Sequence, residues 1–174
     1  MFRIRLTAAL SALAVSLPLA LALPSAPASA LPAWENHNST WPNPAARAPR
    51  VVDLAYAAHG RYDRVVITVR GRIPGDAVRY GRNFTYDGSG KPVPIHGRAG
   101  LQLSLAPAYA HNRHGDDVYD GPHIARPHFD TLRALAFTGD FEGQVSFAFA
   151  LTHRADYRVF RLHDPQRLVI DFRH

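Results

Sequence analysis

Gln144-Val145-Ser146-Phe147-Ala148-Phe149-Ala150-Leu151 decides the fold class. Val145, Phe147, Phe149 and Leu151 fall on one side, with Ser146, Ala148 and Ala150 between them. That is the two-residue period of a strand, not the 3.6-residue period of a helix. Upstream, Tyr62-Asp63-Arg64-Val65-Val66-Ile67-Thr68-Val69 repeats the pattern with β-branched residues. Val65, Ile67 and Val69 face a core, and Arg64, Val66, Thr68 and Arg70 face water. Leu101, Leu103 and Leu105 alternate with Gln102 and Ser104 as a third half-buried strand.

Further strands are expected at Arg50–Ala58, Ala77–Tyr80, Tyr157–Leu162 and Arg167–Phe172. Val93–His96 reads as a short edge strand, because Pro94 cannot donate to a sheet interior. Leu132–Phe137 carries both strand and helical-turn character. Pro74-Gly75, the Asp87–Gly90 segment and the Gly139–Gly143 bend separate the strands, and residues 107–127 form the longest loop. The sum is an all-β antiparallel sandwich of seven to nine short strands. An α/β fold needs intervening helices that this sequence lacks.

The N-terminus reads as a secretory signal over residues 1–30. Arg3 and Arg5 precede an apolar run to about Leu23, and Ala28-Ser29-Ala30 supplies the small residues of a peptidase site. Residues 31–49 hold prolines and no periodicity, which reads as a flexible arm. The folded domain is then expected over 50–174, soluble and extracytoplasmic after signal cleavage, with no later apolar span. Cysteine is absent, so no disulfide or lipidated cysteine is possible. Export without disulfides points to a bacterial source.

The net charge is +6, and all the basic residues but Lys91 are arginine. About +4 remains once Arg3 and Arg5 leave with the signal, which favours an anionic partner. The arginines are scattered through strands of an exported protein, so nucleic acid is not expected. No cofactor motif is present.

The search for chemistry yields no catalytic set. His111, His114, His123 and His128 lie in or beside the long loop with several aspartates, but not at a zinc-site spacing. Solvated loop polarity explains them more simply. Asp140 and Glu142 are the best carboxylate pair for hydrolysis, yet a glycine-bounded bend fits them better as turn residues. The tentative ligand-binding set is Arg64, Arg70, Arg72, Arg158 and Arg167, because guanidinium groups fit carboxylates in pairs of hydrogen bonds. Internal pairing of these arginines competes with that reading. Asp171 in particular reads as a partner for a neighbouring strand.

The closing segment Asp164-Pro165-Gln166-Arg167-Leu168-Val169-Ile170-Asp171 resembles the end of AMIN domains. More of the chain resembles the AMIN-like domain of actinobacterial secreted proteins. Tyr62-Asp63-Arg64-Val65-Val66, Gly88-Ser89-Gly90, Leu101–Leu105 with Pro107, the Gly139–Gly143 bend and Tyr157-Arg158-Val159 match its pattern in order. The resemblance spans about Arg50 to His174. It implies a β-sandwich without catalysis of its own that contacts peptidoglycan, another anionic envelope polymer or an envelope protein. The expected function is therefore a non-catalytic cell-envelope binding module. A protein–protein adaptor is the alternative, and it should show a free sheet edge or an exposed apolar patch. A histidine-loop metal protein or a hydrolase ranks below both.

Overall fold

The computed structural model describes residues 30–44, 47 and 49–174. The signal expected over 1–30 falls almost wholly outside them. One compact unit runs from Leu31 to His174.

Ten strands form, in chain order: β1 Ser39–Trp41, β2 Arg50–His59, β3 Tyr62–Arg70, β4 Gly75–Tyr80, β5 Ala99–Ala106, β6 Ile124–Ala125, β7 Leu132–Phe141, β8 Gln144–Leu151, β9 Tyr157–Leu162 and β10 Arg167–Arg173. A six-stranded sheet has the order β1-β4-β5-β8-β7-β6, and a four-stranded sheet has the order β2-β3-β10-β9. All pairings between named strands are antiparallel. No described residue is helical.

The alternating side chains define the core. Val65, Ile67 and Val69 of β3 and Leu168, Ile170 and Phe172 of β10 meet Leu101, Leu103 and Leu105 of β5 and Phe147, Phe149 and Leu151 of β8. Phe147 and Phe149 are fully buried. Each such side chain contributes roughly 1.5–3 kcal/mol relative to exposure.

Ten strands form against the nine segments expected, because β1 and the two-residue β6 are added and Val93–His96 drops out. β1 arises in the segment read as a flexible arm. Thr40 pairs with Ala77 of β4, and Glu35 bridges to Tyr157 with backbone bonds of 2.7 and 2.9 Å. Arginine faces offer the two tryptophans a seat: Arg158 lies 4.3 Å from the Trp34 ring centre and Arg161 3.6 Å from that of Trp41. Proline frequency alone does not register such anchors.

Two further differences concern the six-stranded sheet. Leu132–Phe137 belongs to a full strand, β7, that runs on to Phe141. Val93–His96 is not a strand; only Thr85 and Pro92 form an isolated bridge in that region. Instead Phe84, Val93 and Ile95 cover the second face of the sheet over Ala134, Ala136, Ala148 and Ala150. The small residues of β8 are therefore a second buried face, which is why it is buried from Val145 to Leu151. Gly100 permits this cover, since a Cβ there would lie 2.8 Å from the Phe84 ring.

Candidate functional site

The predicted arginines do not form one open surface. Arg64 and Arg158 lie directly opposite Asp171 in the ladder β3-β10-β9. Arg64 donates to both carboxylate oxygens at 2.7 and 3.0 Å, and Arg158 donates from Nε at 2.8 Å. Asp171 is fully buried. Its hydrogen bond and charge hold the Arg64 guanidinium above the ordinary arginine range, against the opposing effect of burial. Tyr62 and Phe160 flank Arg64, with their ring centres at 5.0 and 5.2 Å. Both guanidiniums are thus engaged within the protein.

The other three arginines of the set lie elsewhere. Arg70 is exposed at the end of β3. Arg72 lines a small cavity with Trp41, Arg161 and Gln166. Arg167 is half-buried opposite Thr68 and Leu162, and its Nε is buried without a partner among the described residues.

The histidines also separate. His111 meets Asp140 at 2.5 Å, and Asp140 accepts a second bond from the Ala110 amide at 2.7 Å. His123 stands 3.9 Å from Asp117 and packs edge-on to Phe137. His114 is exposed beside Asn112, which caps its amide, and His128 lines a separate cavity with His96 and Arg126. No group of three or more metal-ligating side chains exists among the described residues. Asp140 ties the long loop to β7, and Glu142 occupies the β7–β8 turn with φ 50°. The pair is split between a tether and a turn.

A cationic cleft emerges around arginines that the sequence did not single out. Two adjoining cavities of about 570 and 410 Å³ share His96 and Arg133. Arg98, Leu151 and Thr152 complete the first, and Pro94, Arg126 and His128 line the second. Neither wall contains a carboxylate. Arg133 sits at a register shift between Leu132 and Ala134, where β7 holds one residue more than β8. Such a bulge turns a side chain out of the strand alternation. Arg126 donates to the Pro94 carbonyl at 2.8 Å and so fixes one wall to the other. Arg98 and Arg133 are exposed and make no side-chain hydrogen bond or ion pair among the described residues. Arg98 immediately precedes β5, Arg126 immediately follows β6 and Arg133 is the second residue of β7, so all three sit at strand ends.

Buried carboxylates elsewhere are structural. Asp63 accepts the Thr131 and Leu132 amides at 2.8 and 2.7 Å and meets His174 at 3.1 Å. Asp76 is paired with Arg161. Burial is the larger effect there and pushes the Asp76 carboxyl up to about 6, with Arg161 opposing it.

These placements give physical meaning to the pieces of sequence that carry the family resemblance: Asp63 and Arg64 in the early strand, Arg158 in the ninth and Asp171 at the close. A family profile described as the AMIN-like domain matches residues 49–174. The chain belongs to the AMIN-like domain family. No curated protein and no solved structure matches it. AMIN-like membership marks an envelope-associated module of a kind that is generally a binding unit and not a catalyst, and that occurs in extracytoplasmic proteins. No helix among the described residues is long and apolar enough to cross a membrane. β1 and the Trp34 anchor precede the matched span and add to the AMIN-like sandwich.

Proposed function

We propose that this AMIN-like protein is a non-catalytic module that binds an anionic polymer of the cell envelope, with peptidoglycan as the first candidate. The observation that carries this reading is the cleft of His96, Arg98, Arg126, His128 and Arg133, cationic on both walls and free of carboxylates. A low-dielectric recess lined by one sign of charge concentrates ligands of the other sign. Export through the signal at 1–30 would deliver the domain to such a polymer.

Retention on purified insoluble sacculi tests it. The wild-type protein should stay bound through moderate salt, and Arg98→Ala with Arg133→Ala should release it. Equal loss of both proteins as salt rises would mean non-specific adhesion of a basic protein. No retention at low salt would sink wall binding.

One observation favours the adaptor as a second reading. Strand β2 is an edge of the four-stranded sheet. The long loop covers its first half, through Val51 to Tyr109 at 2.8 Å and Asp120 to Val52 at 2.9 Å. Ala55–Ala58 are exposed and bond on that side to nothing among the described residues. The stretch has no charge or proline to deter strand addition. A photo-crosslinker at position 57 should then trap one discrete partner in intact cells, and Ala57→Lys should prevent competing strand addition. Absence of any adduct removes the adaptor reading.

A further inference from the structure

We propose that the group recognised in the His96–Arg133 cleft is a phosphate ester, and not a sugar face or a lone carboxylate. This rests on the reading of the cleft as the site for an anionic envelope polymer, and within that reading it places a phosphate-bearing polymer ahead of peptidoglycan's own carboxylates. It goes further by naming the chemistry that fills it.

The lining itself discriminates. Sugar rings are usually held by an aromatic platform, and neither cavity presents Trp, Tyr or Phe. The exposed rings lie elsewhere, at Trp41, Tyr56 and Phe141. A carboxylate offers two oxygens in one plane, and where two arginines share one in this protein, at Asp171, it is buried between neighbouring strands. Here Arg98 and Arg133 both open onto the first cavity without internal partners, and His96 stands between the two cavities. Arg126 extends the positive charge into the second, where His128 adds a further ring nitrogen. Several separate donors suit the tetrahedral, multiply accepting oxygens of a phosphate. The Thr152 hydroxyl does not compete for this role, because it donates to the Asp130 carbonyl at 2.9 Å. Two cavities sharing one wall suit successive phosphates of a repeating chain.

Two sources share this chemistry: a soluble poly(glycerol phosphate) chain and the head groups of anionic phospholipid. The experiment follows backbone amide NMR signals of the full protein during additions of inorganic phosphate and, separately, acetate at equal ionic strength. Phosphate should move the signals of residues 96–98, 133 and 152, and acetate should leave them in place. Arg98→Ala with Arg133→Ala should weaken the phosphate response at least about tenfold. Arg79→Ala, an exposed arginine on β4, removes one charge outside the cleft and should leave the response unchanged. Poly(glycerol phosphate) and phosphatidylglycerol vesicles then form the second arm. Binding of either one through the same residues supports the proposal and names the source.

Equal shifts with acetate and phosphate would overturn the proposal, as would a response untouched by the double substitution or binding of neither phosphate source. The sacculus assay separates the two levels. Retention on phosphate-free sacculi with no phosphate response keeps the polymer reading and defeats this inference. A phosphate response without sacculus retention defeats peptidoglycan and keeps the cleft.

Discussion

Asp171 shows how a short family motif is made of physics. It is the one carboxylate between Arg64 and Arg158, fully buried and hydrogen-bonded to both. Removing a buried charge leaves its partners uncompensated, which costs more than the pair contributes. Asp171→Ala should therefore lower the unfolding free energy by about 3 kcal/mol, whereas Arg64→Ala, which leaves Arg158 in place, should cost distinctly less. Urea denaturation compares them. The sequence suggested a cross-strand partner for Asp171, but register decides the partner's identity, and register is invisible in a single chain. Asp76 yields a different signal. Its folded carboxyl, raised to about 6, binds a proton more tightly than the unfolded carboxyl near 3.9. Stability conferred by that proton is full below about pH 4 and is lost as pH rises towards 6. Asp76→Asn should remove this descending component, so the wild-type urea midpoint should fall relative to the variant's as pH rises from about 4 to 6 and run parallel to it above that. Parallel curves throughout would refute the assignment.

At the scale of elements, β8 was legible on one face and silent on the other. The Val145, Phe147, Phe149 and Leu151 face follows from period-two alternation. The Ala148 and Ala150 face had no reading in the sequence, because small residues carry no strong hydrophobic signal. Its cover, Phe84 with Val93 and Ile95, comes from an irregular segment whose prolines suggested an edge strand. Phe84→Ala should cost about 3 kcal/mol and should increase binding of a hydrophobic dye, while the β-sheet circular dichroism persists. Gly100→Val tests the same contact from the other side. Its side chain would drive into the Phe149 carbonyl, 2.5 Å from a Cβ, as well as the Phe84 ring. If both variants keep wild-type stability, the second buried face contributes nothing. The cationic cleft escaped the sequence for a related reason. Arg98 lies far in the chain from Arg126 and Arg133, and the bulge in β7 and the folded 93–98 segment bring them to one recess.

For the molecule as a whole, the boundary of the family match and the boundary of the folded unit differ. The AMIN-like match begins at residue 49, whereas the compact unit begins at Leu31. The intervening segment closes both sheets at once. Glu35 pairs with β9 of the small sheet, and β1 extends the large one beside β4. Tyr157 links the two through its hydroxyl, 2.6 Å from the Ser39 Oγ and 2.8 Å from the His37 carbonyl; burial, its largest influence, pushes that phenol up to about 12. Trp41 lies against Arg161, the partner of Asp76, so β1 helps to keep that ion pair from water. Deleting residues 31–43 should then do two things together. It should lower stability by about 2–4 kcal/mol, from lost cation–π contacts and strand pairing. It should also return the Asp76 carboxyl towards its ordinary value, because the burial that raised it is gone, and so flatten the decline in stability between about pH 4 and 6. Urea titrations of the shortened and complete proteins across that range read both effects. A drop in stability with the pH slope intact would mean that the segment is a clasp and that Asp76 is buried by the sandwich itself.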